Sequence, residues 1–345
     1  MRHTREGRLN PLKSYLEGRE AALMAEGEKF KRPGAAEVGL GFLEPASHGD
    51  DFATLIRYVD AATADANNYY TPKSVRDFRQ SGDLVTFSSP LALTADSSNS
   101  RAVARLFAAR GKERAVVLLP YWNAERTASA QLGSVFARLG ITCLQLSLPY
   151  HDERQTPGVG FAREMVCESL GLTIRSIRQA VWDARSCLDW LEAAGYTRLG
   201  IVGISLGSSI ASIVSAFDER VRAAAFLLMA DDFTQVVWTG GATRHVRQGL
   251  ETCFSLEQVE RAWSIVSPAT FAPHLARRLS EVLIISGALD RVFLPNLTLQ
   301  YVERLRALGM NPKLKAMSCG HYTLALLPFA VRTLFATNAY MRGRL

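Results

Sequence analysis

The stretch Arg198-Leu199-Gly200-Ile201-Val202-Gly203-Ile204-Ser205-Leu206-Gly207-Ser208-Ser209-Ile210 decides the fold. Leu199, Ile201, Val202 and Ile204 form the near-continuous apolar run of a strand buried on both faces of a parallel sheet. Ile210, Ile213, Val214 and Phe217 then recur at i, i+3, i+4 and i+7, the stripe of a helix packed on that sheet. Between them the chain must turn within a few residues, and Gly203 and Gly207 are the residue type that lets strand and helix backbones come so close. A serine on such a turn exposes its hydroxyl above the sheet, and the backbone N–H of Leu206 points where an oxyanion would form. Ser205 is therefore the first candidate nucleophile. With 25 glycines in 345 residues, a chance Gly-x-Ser-x-Gly arises in about one chain in seven. The position between a buried strand and an amphipathic helix is what raises the signal.

Two strand ends further along carry the partners that such a serine needs. The run Val282 to Ser286 leads into Gly287-Ala288-Leu289-Asp290-Arg291-Val292-Phe293-Leu294-Pro295, and Lys313 to Met317 leads into Ser318-Cys319-Gly320-His321. In a parallel sheet both side chains fall on the same edge as Ser205, in the order Ser, Asp, His. His321 is the general base and Asp290 the group that fixes its tautomer. Asp231-Asp232 also follows a strand and competes for the acid role. Asp290 is favoured, because its short turn suits the purpose while Asp231-Asp232 reads as the cap of a helix over 233–237.

Composition narrows the classes. A chain with 48% hydrophobic and 21% charged residues is globular, and large enough for one α/β domain with an appendage. The net charge of +7 is scattered without a block of like charges, so no nucleic-acid partner is expected. Five widely spaced cysteines without a Cys-x-x-Cys pair read as reduced thiols. The first residues lack the apolar core of a secretory signal, and no apolar run reaches the roughly 18 residues of a membrane helix. The expectation is a cytoplasmic protein with no stable membrane insertion. The absence of His-Glu-x-x-His, together with an isolated Cys319-Gly320-His321, predicts no metal and no cofactor.

Residues 1–80 read as an N-terminal extension, basic and turn-rich, with one helix over 51–64 and no chemistry; His3 and His48 are surface histidines. The main domain is expected over 81–345. It opens with two antiparallel strands at 84–87 and 102–107 across a polar turn at 94–100. A strand at 115–119, a helix over 126–139 ended by Gly140 and a strand at 142–148 follow as a βαβ unit. The loop after that strand offers Tyr150, His151 and Arg154 as pocket residues or, equally, surface ones. A helix over 173–194 shows an apolar face, with Arg175, Arg178 and Arg185 on its wet side. Some 50 residues separate a strand at 223–229 from the next, predicting a helical cap over 231–279. Phe233, Val236, Val237 and Trp238 are either its pocket lining or core.

The elbow, the Asp290 turn and the Gly320-His321 ending resemble the α/β-hydrolase fold superfamily over roughly 82–345. Leu118-Leu119-Pro120-Tyr121-Trp122-Asn123-Ala124, Leu148-Pro149-Tyr150-His151, Gly203 to Gly207 and Gly320-His321-Tyr322 are similar to a group of uncharacterised bacterial hydrolases, themselves distantly similar to α/β-hydrolase domain-containing protein 18. The resemblance implies a mostly parallel sheet flanked by helices and a cofactor-independent serine hydrolase acting on a small ester, thioester or lactone. Acyl transfer on the same machinery is the alternative. A non-catalytic binding protein on this fold would be expected to lack one of the three residues. Many members carry His-Gly where this chain has Pro120-Tyr121, and the second oxyanion donor is expected from the backbone of Tyr121 or Trp122.

Overall fold

The computed structural model describes residues 11–44, 51–91, 98–124 and 130–345. His3, His48, the 45–50 turn, most of the 94–100 turn and the start of the helix expected from 126 lie outside them. At the centre are nine strands: β1 (Arg79–Ser81), β2 (Leu84–Ser88), β3 (Arg101–Phe107), β4 (Arg114–Leu119), β5 (Thr142–Leu146), β6 (Arg198–Ile204), β7 (Val221–Leu227), β8 (Leu283–Gly287) and β9 (Lys313–Met317). They form one sheet in the order β1-β2-β3-β5-β4-β6-β7-β8-β9. β1, β2, β3 and β5 pair antiparallel in succession, and every pairing from β5 to β9 is parallel. Continuous apolar strands feed two cores, since successive side chains point to opposite faces. Val117, Leu119, Ile201, Phe226 and Ile284 enter one, and Val116, Leu118, Val202, Ala225 and Ile285 the other.

The helices are α1 (Pro11–Glu28), α2 (Phe52–Ala64), α3 (Ala66–Tyr69), α4 (Ala130–Arg138), α5 (Leu170–Ala193), α6 (Leu206–Phe217), α7 (Phe233–Thr239), α8 (Arg244–Leu250), α9 (Leu256–Trp263), α10 (Pro268–Arg278), α11 (Pro295–Ala307) and α12 (Phe329–Arg344). α5, α6 and α10 contribute to the first core, α4 and α12 to the second. The stretch between β7 and β8 thus divides. α10 packs on α6 as part of the flanking layer, while α7 packs on α8 and α9. No helix among the described residues is long and apolar enough to cross a membrane.

Two readings of the sequence need correction here. Arg175, Arg178 and Arg185 are not a wet face: they hold the N-terminal segment. Buried Arg175 donates to the carbonyls of Phe42 and Leu91. Arg178 lies 4.0 Å over the Tyr69 ring and 4.6 Å over Trp182, and Arg185 reaches the Tyr70 carbonyl and Asp218. The N-terminal segment also contains α1, which lacks an apolar stripe because only Leu16 and Glu20 on it are buried.

Candidate active site

β6 ends in the sharp turn that its glycines permit. Ser205 sits at φ 55° and ψ −121°, a conformation that costs a non-glycine residue about 1–3 kcal/mol. The surroundings hold it there. The Ser205 N–H donates to the Leu227 carbonyl at 2.8 Å, while the Ser208 N–H and hydroxyl donate to the Ser205 carbonyl at 2.7 and 2.6 Å. A Cβ at Gly203 would fall 2.2 Å from the Gly207 carbonyl oxygen, so strand and helix touch there. A Cβ at Gly207 would fall 2.3 and 2.5 Å from the carbonyl oxygens of Leu119 and Pro120. The end of β4 therefore presses on the elbow, and Tyr121 and Trp122, which follow it, line the same cavity as Ser205.

Three side chains from three strand ends make one chain of hydrogen bonds. His321 Nε2 is 2.9 Å from Ser205 Oγ, and His321 Nδ1 is 2.9 Å from Asp290 Oδ2. The other oxygen of Asp290 accepts from the N–H groups of Val292 and Phe293, both at 2.8 Å. Ser205 and Asp290 are buried, and the His321 ring lies against Phe293 with centroids 5.3 Å apart. Such a chain can pass the serine proton to Nε2 while the carboxylate faces the imidazolium that forms. The competing acids are occupied elsewhere. Asp231 is bidentate to Arg304, with Nη2 at 2.8 Å from Oδ2 and Nε at 2.9 Å from Oδ1. Asp232 caps α7 by accepting from the Gln235 N–H at 2.9 Å.

Ser205 and His321 open on a cavity of about 830 Å³. Its walls are apolar: Leu132 and Val135 of α4, Phe233, Val236 and Val237 of α7, Val292 and Phe293 after β8, and Leu327, Val331 and Leu334 at α12. Leu206, Tyr121 and Trp122 border it too. Of the expected pocket residues, Phe233 lines it, whereas Tyr150, His151 and Trp238 do not. Trp238 packs against the first core with Arg247 over its ring. The Tyr150 N–H donates to Asn99. His151 is buried and acts as a brace: its Nε2 accepts from the Asn123 N–H at 2.8 Å while Nδ1 meets the Pro149 carbonyl at 2.8 Å. Burial lowers its pKa to about 4, so it stays neutral. The Asn123 side chain and the Trp122 ring N–H in turn bond the backbone of Ala162, fixing the loop beside the elbow. Arg154 is neither a pocket nor a surface residue; it is fully buried, 2.7 Å from buried Asp183.

The N-terminal segment was expected to carry no chemistry, yet it reaches the site. Gly27 and Lys31 line the cavity. Lys31 lies 4.4 Å over the Trp122 ring and 2.7 Å from Glu28, whose other oxygen is 3.1 Å from His245 Nδ1. Burial works against ionisation of Glu28, but the bonds from His245 and Lys31 prevail and hold its pKa below the usual carboxyl value. Glu20 of α1 accepts hydrogen bonds from the turn that follows His321. Among the described residues no group of three or more His, Cys, Asp or Glu is placed to hold a metal ion.

The strand order, the elbow and the strand-end residues define the α/β-hydrolase fold. Within it, residues 130–251 match the model of the family alpha/beta hydrolase domain containing 18, a span that takes in Ser205 but stops short of Asp290 and His321. An acetyl xylan esterase from Paenibacillus sp. R4 superposes with a TM-score of 0.58 at 13% identity, over 93% of this chain and 99% of that one. A puromycin-hydrolyzing peptidase of Mycobacterium tuberculosis gives 0.56 at 16% identity, over 79% of this chain and 48% of its own. At these identities the likeness is one of fold. In sequence the chain is 27% identical over 187 residues to an uncharacterised protein of Mycobacterium tuberculosis, covering 53% of this chain. The chain spans 42% of the length of those curated relatives.

Proposed function

We propose that this protein is a serine hydrolase that cleaves a carboxylic ester, a thioester or a lactone through an acyl-enzyme. Ser205 Oγ attacks the carbonyl carbon, and His321 takes its proton, then returns it to the leaving oxygen or sulfur. Asp290 holds the imidazole with its proton on Nδ1. The N–H of Leu206 and one from Tyr121 or Trp122 receive the oxyanion. Water, activated by the same histidine, then releases the acid. The single observation carrying this reading is the unbroken Ser205–His321–Asp290 chain, with both contacts at 2.9 Å, opening on an apolar cavity. The cavity's size and lining favour an ester with a sizeable apolar acyl or alcohol group.

The test is labelling by a fluorophosphonate probe followed by peptide mapping, with turnover measured across esters of increasing acyl length. Labelling of Ser205, and a rise in kcat/KM with chain length, is the expected result. Absence of labelling in folded protein would refute the mechanism. Product analysis with an acceptor alcohol present separates hydrolysis from acyl transfer.

A further inference from the structure

We infer that Glu20, on the N-terminal helix α1, is a positioning residue for the histidine of the active site. Its side chain is fully buried. Both carboxylate oxygens lie 3.1 Å from the Tyr322 N–H, and Oε2 also accepts from the Thr323 N–H and the Thr323 hydroxyl, each at 3.0 Å. The Thr323 hydroxyl in turn accepts from the Gly320 N–H at 2.7 Å. The backbone donors on both sides of His321 therefore end on one carboxylate from a segment some three hundred residues away in sequence. This is the job of a helix cap done in trans, for the short turn Thr323–Ala325 opens there with N–H groups that its own helix cannot satisfy.

The fit is close. A Cβ at Gly320 would fall 2.3 Å from Glu20 Cδ, so the residue before the histidine must be glycine for the carboxylate to enter. Leu16, Glu20, Met24 and Glu28 recur every four residues, placing them on one face of α1. Leu16 joins the second core, Met24 abuts Gly241, and Glu28 meets His245. That face spans the histidine loop and the start of α8. Phe293 sets the plane of the imidazole ring, and Glu20 sets the backbone from which the ring hangs. Displacement of that backbone by a fraction of an ångström lengthens the contacts to Ser205 and Asp290 together.

The inference rests on His321 acting as the base, so the experiment has one arm that needs no turnover. In the ¹⁵N-labelled chain, the His321 Nδ1 proton, sheltered by Asp290, gives a downfield signal. Glu20→Ala should broaden or lose it through exchange with water, and Glu20→Gln should weaken it. In the kinetic arm, Glu20→Ala should lower kcat on the order of 10²-fold, and Glu20→Gln about tenfold, with KM within about threefold. Added formate, filling the space vacated in Glu20→Ala, should restore part of the loss but do nothing for Ser205→Ala. An unchanged proton signal together with unchanged kcat in either folded variant overturns the inference. So does a loss that tracks unfolded protein alone in Glu20→Gln, the variant that keeps the side chain's shape. If wild type itself neither labels nor turns over, the serine-hydrolase reading falls, and the proton signal still decides the role of Glu20.

Discussion

Replacing Asp290 by Asn is the most incisive perturbation of this site, because the structure dictates which way the amide must face. Asp290 Oδ1 accepts from the N–H groups of Val292 and Phe293 at 2.8 Å, and those donors can do nothing but donate. In Asp290→Asn the amide oxygen must therefore take that position, which turns the NH₂ toward His321 Nδ1, 2.9 Å away. An NH₂ there donates, so Nδ1 has to accept, and the ring proton moves to Nε2. The nitrogen facing Ser205 then carries hydrogen and cannot take the serine proton. The expected fall in kcat is on the order of 10⁴, equivalent to about 5 kcal/mol of transition-state stabilisation. Asp232→Asn should leave kcat unchanged, since Asn caps a helix as well as Asp does. Asp231→Asn loosens the bidentate pair between buried Asp231 and half-exposed Arg304 and costs on the order of 1–3 kcal/mol of stability without touching the serine or the histidine. All three variants are compared by ester turnover and fluorophosphonate labelling rate, with urea unfolding to match the folded fraction. Near-normal turnover in Asp290→Asn, with collapse in either of the others, would refute the assignment of the acid.

Ser205→Ala should bring turnover below about a thousandth of wild type with the fold intact; higher residual activity points to another serine. The Ser208 hydroxyl donates to the carbonyls of Ser205 and Leu228, so Ser208→Ala should cost about 1 kcal/mol in urea unfolding while sparing the nucleophile. Gly207→Ala would set a Cβ against the Leu119 and Pro120 carbonyls, and the displaced oxyanion backbone should cost kcat on the order of 10²-fold; equal rates would show that the β4 end does not contribute. His151, held neutral by burial with its pKa lowered to about 4 from 6.5, predicts a pH-dependent stability. Below 6.5 the unfolded chain takes up a proton that the folded one refuses, so this contribution is complete at neutral pH and is lost as pH falls toward 4. Between pH 7 and pH 5 that loss amounts to about 2 kcal/mol. His151→Gln should remove that part of the slope in paired urea titrations, and identical slopes would count against the neutral brace.

The parts of this molecule that the sequence displays are those whose signals are local. β4, β6, β7 and β8 announce themselves because a strand covered on both faces must be apolar throughout, and Ser205 and Asp290 each follow such a run, whereas His321 follows the more polar edge strand β9. The parts that stay hidden are made by contacts between distant segments. Arg175 looks like a solvated helix residue, yet it is buried because carbonyls of Phe42 and Leu91 come to meet it. His151 follows a strand on the edge where ligands bind, but the 121–124 loop folds over it and turns a pocket candidate into a brace. α1 escaped notice for a related reason. Where a core-facing helix would show an aliphatic residue one turn after Leu16, this one has Glu20, and nothing local separates it from the half-exposed Glu17 nearby. A buried carboxylate at a core-facing position costs stability unless donors surround it, and here those donors are the backbone of the histidine turn. Periodicity that fails at a charged residue on an otherwise orphan helix is then itself informative. It marks the place where a helix serves the site and not the core.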